Sequence, residues 1–196
     1  KEPVANTTDP DSRIMKTRNG FIQGINSQAA VDADSQIIVA AEVTQDHNDL
    51  NQLESMINKV IENTKKTPKN VVADAGYDNS DQIKRLKELC NVLIPTQKDW
   101  KQRKAMKEQS VPRGRIPKRL TERERRERAL LTKRGKAIYK KRGSSIEPVN
   151  GQKKTARGVC TFLLRGIEKV ASKWKKYCSD NNLLKLWRHS VIKQKC

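Results

Sequence analysis

The 196-residue chain carries 42 Lys and Arg against 22 Asp and Glu, a formal net charge of +20, so its length fits one domain or two small ones and its charge calls for a polyanionic partner. The longest uninterrupted apolar stretch, Ile37–Ala41, is far below the roughly 20 residues that a membrane helix needs, which excludes a spanning helix, and no signal peptide is visible. Position 1 is Lys rather than Met, which reads as a fragment or trimmed chain with parts upstream.

Residues 21–31 and 37–43 are extended runs around Asp32-Ala33-Asp34-Ser35-Gln36, and the β-branched Ile37, Ile38 and Val39 mark a buried strand. Together they predict a β-hairpin. Asp49 then stands as an N-cap before Leu50, Leu53, Met56, Ile57, Val60 and Ile61, whose 3-and-4 spacing predicts an amphipathic helix ending before Pro68. Asn70-Val71-Val72-Ala73-Asp74-Ala75-Gly76-Tyr77 is a short apolar run stopped by glycine, predicted as an interior strand with Asp74 at its carboxyl end. Asn79 or Ser80 caps a helix through Ile83, Leu86 and Leu89, and Val92-Leu93-Ile94 before Pro95 forms another short strand. Such alternation predicts an α/β chain with a mixed sheet.

From 96 to 120 the text turns to Lys, Arg, Gln and Pro, including Pro112-Arg113-Gly114-Arg115-Ile116-Pro117, and reads as a basic linker or insertion loop. Thr121 and Glu124 form a capping box that opens a basic helix towards Arg134, with Gly135 as its breaker. A further helix is expected to start near Ser144 or Ser145, and the rest is helical with a turn at Ser179-Asp180-Asn181-Asn182. The resulting division is 1–95, a basic linker or insertion at 96–135, and a helical 136–196.

Cut at Pro95, the charge divides sharply: the first part has 11 basic and 14 acidic residues, the second 31 basic and 8 acidic. A net +23 confined to one half is the footprint of nucleic-acid binding through phosphates, and the apolar residues spaced through 159–187 say that this half folds. Cys90, Cys160, Cys178 and Cys196 are isolated, and with only His47 and His189 as possible co-ligands a structural zinc site is not expected. They read as reduced cytosolic thiols.

Two carboxylates stand out. Asp74 lies at the carboxyl end of a strand, where α/β sheets place their chemistry, and Gly76 allows a sharp turn there; an ordinary turn aspartate is the other reading. Glu147 is flanked by Lys140, Lys141 and Arg142 on one side and Lys153 and Lys154 on the other, a carboxylate in a phosphate-binding surface that suits Mg²⁺-dependent phosphoryl transfer. Equally, Ser144-x-x-Glu147 fits a capping box, with Pro148 tolerated in a first turn. Lys154, seven residues after Glu147, shares its face if the segment is helical.

These residues resemble the DDE-type transposases of bacterial insertion sequences over nearly the whole chain. The resemblance is carried by Thr8-Asp9-Pro10-Asp11-Ser12-Arg13-Ile14-Met15, Asn26-Ser27-Gln28-Ala29-Ala30-Val31-Asp32, Ala73-Asp74-Ala75-Gly76-Tyr77, Ile146-Glu147-Pro148-Val149, Phe162-Leu163-Leu164-Arg165-Gly166 and Asn182-Leu183-Leu184-Lys185-Leu186. It implies a ribonuclease-H-like fold in which three carboxylates hold two Mg²⁺ ions, with Asp74 as second acid and Glu147 as third. The signature Tyr-x2-Arg-x3-Glu-x6-Lys is matched by Tyr139, Arg142, Glu147 and Lys154, except that four residues separate Arg142 from Glu147. By this resemblance Lys154, Arg142, Lys153 and Tyr139 are the DNA-binding residues.

The first acid of such sites sits in an Asp-Gly-Ser/Thr-Lys strand, which this sequence lacks; it is expected upstream of Lys1, with Asp9, Asp11 and Asp32 as fallbacks. Asn150 stands where relatives carry an aromatic and Val159-Cys160-Thr161 where they carry Phe-Arg-Arg, the mark of a truncated or decayed copy. The implied activity is Mg-dependent DNA cleavage and strand transfer on terminal repeats and target DNA, by a homodimer, in a bacterial cytoplasm at the nucleoid. This chain alone is expected to bind DNA without cleaving it. A non-catalytic basic nucleic-acid-binding protein is the alternative.

Overall fold

A computed structural model describes residues 6–17, 20–152 and 161–194. In chain order the elements are β1 (Arg13–Thr17), β2 (Gly20–Gly24), β3 (Asn26–Val31), β4 (Ile38–Thr44), α1 (Gln52–Thr64), β5 (Asn70–Val72), α2 (Ser80–Leu86), β6 (Asn91–Leu93), α3 (Asp99–Glu108), α4 (Glu122–Leu131), α5 (Lys133–Gly151) and α6 (Ile167–Gln194). They form two compact units, one of Lys1–Asp49 with Ser145–Cys196 and one of Leu50–Ser144. The chain is thus mixed α/β, with its strands in two-stranded sheets: β1–β2 and β3–β4 antiparallel, β5–β6 parallel.

The Leu50–Ser144 unit is built around β5 and β6, paired from Asn70↔Asn91 to Val72↔Leu93. Side chains alternate across a strand, so Val71, Val92 and the following Ile94 face one way and Val72 and Leu93 the other. The first set packs with Leu53 and Ile57 of α1 and Ile83 and Leu86 of α2; the second packs with Met106 of α3, Leu130 of α4, and Ile138 and Tyr139 of α5. A parallel pair covered on both faces needs apolar side chains at consecutive positions, which is why these strands read as unbroken runs. Each fully buried Ile or Leu, such as Ile83 or Leu130, contributes about 1.5–3 kcal/mol. Exposed ion pairs such as Arg85–Glu54 add little by comparison.

In the other unit α6 lies against β3–β4, and Ile38, Val149, Trp174 and Cys178 form its core with Ala29, Val31, Ala41, Val43 and Phe162. Trp174 donates its indole N–H to the Gln28 carbonyl at 2.9 Å, and Phe162 meets the same ring edge-on, centroids 6.3 Å apart. Asn182 accepts from the Ile38 N–H and donates to the Ile38 carbonyl, both at 2.8 Å, so its amide stands in for a neighbouring strand.

The hairpin expected over 21–31 and 37–43 forms as β3–β4, but residues 21–24 belong to a separate β1–β2 hairpin. Asp49 does not cap α1: its Oδ1 accepts from Asn26 Nδ2 at 2.7 Å and Gln28 Nε2 at 2.6 Å, and Asn51 precedes the helix without a side-chain cap bond. Asn79 caps α2 as expected. Within the segment read as basic loop, Asp99–Glu108 is helical, because Gln102 is buried and Met106 joins the core.

The Thr121–Glu124 capping box forms, yet Gly135 breaks nothing: α4 stops at Leu131 and Gly135 lies inside α5. No helix begins at Ser144 or Ser145, so Ser144-x-x-Glu147 is no capping box and Pro148 sits within the helix. There the ring removes the N–H that would reach the carbonyl of residue 144. Nor is there a turn at 179–182, since α6 runs through it; Asn181 is buried within that helix, and the half-buried Asn182 serves Ile38. Cys90 and Cys178 are buried thiols, whereas Cys160 and Cys196 lie outside the described residues.

Gly135 sits where the end of α4 crosses the start of α5, and a Cβ on it would lie 2.0 Å from the Ala129 carbonyl oxygen. Gly→Ala normally favours a helix by about 1 kcal/mol. Here the sign should invert: Gly135→Ala is expected to cost about 1–3 kcal/mol through overpacking, read as a lower midpoint in urea denaturation.

Candidate functional site

Asp74 follows β5 by two residues and opens a single 3-10 turn, Ala75–Tyr77. Its Oδ1 accepts from the Gly76 N–H at 2.8 Å, so this half-buried carboxylate is held at the carboxyl end of a parallel strand by a cap bond. The turn-aspartate geometry and the strand-end position therefore coincide in one residue. Glu147 lies on α5 in the other unit; Ser145 and Val149, two residues to either side, are buried, and Glu147 is on the exposed face between them. Lys153 and Lys154 lie outside the described residues.

Tyr139 and Arg142 come together, and the group that joins them, Asp99 on α3, was not singled out in the sequence. Asp99 Oδ1 accepts from the Tyr139 hydroxyl and from Arg142 Nη2, both at 2.7 Å, and Asp99 Oδ2 pairs with Arg103 Nε at 2.7 Å. The Arg142 guanidinium stacks 5.5 Å from the centre of the Tyr139 ring. Burial pushes the Asp99 carboxyl upwards, but the Tyr139 hydrogen bond and the charges of Arg142 and Arg103 outweigh it and hold the carboxyl below the usual range. Burial, with the bond to Asp99, pushes the Tyr139 hydroxyl well above its ordinary value. Both residues are therefore engaged within the Leu50–Ser144 unit.

Asp9 and Asp11 have a definite structural task. Asp9 Oδ1 accepts from the Gly166 N–H at 3.2 Å and Asp11 Oδ2 from the Ile167 N–H at 2.9 Å, while Asp11 Oδ1 takes Gln45 Nε2 at 3.0 Å. Two carboxylates thus satisfy orphan donors at the positive end of α6. Asp32 holds the β3–β4 turn, accepting from the Ser35 N–H at 2.8 Å and its hydroxyl at 2.5 Å. Among the described residues no group of three or more His, Cys, Asp or Glu side chains gathers as a metal site. Among them too, no helix is long and apolar enough to cross a membrane.

A family model described as Transposase DDE domain matches residues 3–182. The chain belongs to the transposase DDE domain family. That match bears out the resemblance read from the motifs. Membership in the transposase DDE family supports a transposase function with DNA as partner, and domains of this family generally use divalent metal ions. No curated protein and no solved structure matches the chain.

Because the folded-state pKa of Asp99 is depressed, its contribution to stability is complete above the unfolded Asp value of about 3.9 and is lost as pH falls through the lower folded value. Thermal melting between pH 6 and pH 3 should show the wild-type melting temperature falling towards that of Asp99→Asn, with a wide gap at pH 6 that narrows below about pH 4.

Proposed function

We propose that the chain is catalytic-domain material of a bacterial insertion-sequence transposase, with a ribonuclease-H-like fold, serving Mg-dependent DNA cleavage and strand transfer between terminal repeats and target DNA. The observation that carries this reading is a family match over residues 3–182 in a chain whose Asp74 stands just past the carboxyl end of a parallel strand. In this reading residues 1–95, 96–135 and 136–196 are the amino-terminal part, a basic insertion and the helical part of one catalytic domain, which works as a homodimer on DNA at the nucleoid.

Asp74 and Glu147 are the carboxylates that would hold Mg²⁺, a hard cation that prefers oxygen donors. When bound, such ions neutralise phosphate charge and activate the attacking oxygen. The chain's own share is positional: Lys153 and Lys154 contact phosphates, and the basic second half keeps the duplex in place for in-line attack. Tyr139 and Arg142 support DNA binding through Asp99, by fixing α3 to α5.

Two measurements test this. Affinity for duplex DNA should fall steeply with salt, the log–log slope being about −0.9 per phosphate contacted, so a slope steeper than about −4 is expected. With Mg²⁺ and a terminal-repeat substrate, Asp74→Ala and Glu147→Ala should each abolish nicking and strand transfer in the transposase while leaving DNA affinity within about twofold. Nicking that survives both substitutions would overturn the assignment of Asp74 and Glu147 as the catalytic carboxylates, whereas duplex binding with no nicking by the wild type would favour the basic nucleic-acid-binding alternative.

A further inference from the structure

The eight residues Pro112-Arg113-Gly114-Arg115-Ile116-Pro117-Lys118-Arg119 contain no Asp or Glu, and 113–119 are exposed throughout. The loop is nonetheless held at both ends by α4. Arg128 Nη2 donates to the carbonyls of Arg113 at 2.8 Å and Gly114 at 3.2 Å, while Arg125 donates to those of Leu120 at 3.0 Å and Lys118 at 3.1 Å. Two arginines that could have met phosphates are instead used to fix a loop whose own cations point to solvent. Gly114 has φ +76°, and nothing lies within 4 Å of where its Cβ would be, so glycine is required by the backbone bend and not by crowding.

We infer that this loop is a reader of A·T-rich duplex DNA, inserting Arg113 and Arg115 into the minor groove while Lys118 and Arg119 grip the flanking phosphates. The inference rests on the reading that the chain acts on DNA and names a contact within it. Shape decides the groove. The minor groove is about 6 Å wide, too narrow for a helix of about 10–12 Å, whereas a helix-free backbone bearing Gly between two arginines fits. Pro112 and Pro117 fix φ on either side and keep the segment from closing into a helix. Narrow A·T tracts concentrate negative potential, and the weakly hydrated guanidinium enters them more readily than an ammonium.

Fluorescence anisotropy on the full chain, with 20-bp A·T-rich and G·C-rich duplexes at one salt concentration, tests it. The wild type should bind the A·T duplex about tenfold more tightly, and netropsin, which occupies the A·T minor groove, should displace it. The double variant R113A/R115A should bind both duplexes equally, with an unchanged melting temperature. R113K/R115K, which keeps the charge and the fold, should lose most of the preference while its affinity for the G·C duplex stays within about twofold. Equal wild-type affinity for both duplexes, or a preference that survives R113A/R115A, would overturn this inference and leave DNA binding itself intact. Tighter binding to double-stranded RNA would overturn it as well, because the A-form minor groove is wide and shallow. Failure to bind any duplex would instead bring down the functional reading on which it rests.

Discussion

Twenty uncompensated positive charges in a chain of this length repel one another in any compact state. The fold answers by placing its scarce carboxylates where each joins segments distant in sequence. Asp99 takes Tyr139, Arg142 and Arg103; Asp78 takes the buried Arg126; Asp9 and Asp11 receive the first N–H groups of α6; Asp49 gathers Asn26 and Gln28. These are charge-assisted bonds, several of them shielded from water, and each is stronger than a neutral hydrogen bond. These half-buried acids are thereby paired, and the basic residues elsewhere on the surface are left uncompensated.

Apolar packing follows the same economy. In the Leu50–Ser144 unit a parallel pair three residues long is enough, since helices cover both faces and every strand residue from Val71 and Val92 onward is used. The unit nevertheless holds 26 basic and 11 acidic residues. Its interior is therefore aliphatic around β5 and β6 and ionic around Asp99, and its helices are free to be basic outside. That division lets one unit combine an apolar interior with a strongly cationic exterior.

Much of this was legible from local pattern. The β3–β4 hairpin, the Asn79 cap, the Thr121 capping box and the short strands at Val71-Val72 and Val92-Leu93 rest on propensities that act within a few residues, and they form as read. What misled were polar residues with distant partners. Asn182 resembles a turn residue until Ile38 is seen to need it, and Asp49 resembles a helix cap until Asn26 and Gln28 claim it. Gly135 resembles a breaker, although its lack of a side chain serves a crossing with Ala129. Asp99 was missed because nothing around it in sequence announces Tyr139, forty residues on. Asp74 and Glu147 were singled out from their settings alone, Asp74 by the short apolar run before it and Glu147 by the lysines and arginines around it.

The way the first unit is assembled sets an order of events during synthesis. Gln28 bonds to Trp174 and Ile38 to Asn182, separations of 146 and 144 residues. At about 5–20 residues per second, the β3–β4 hairpin waits about 7–30 s for the helix that covers it. All of Leu50–Ser144 emerges in that interval and can fold on its own contacts. Until α6 arrives, the nascent hairpin is left with uncovered apolar residues and unpaired edges, the kind of surface on which chains aggregate.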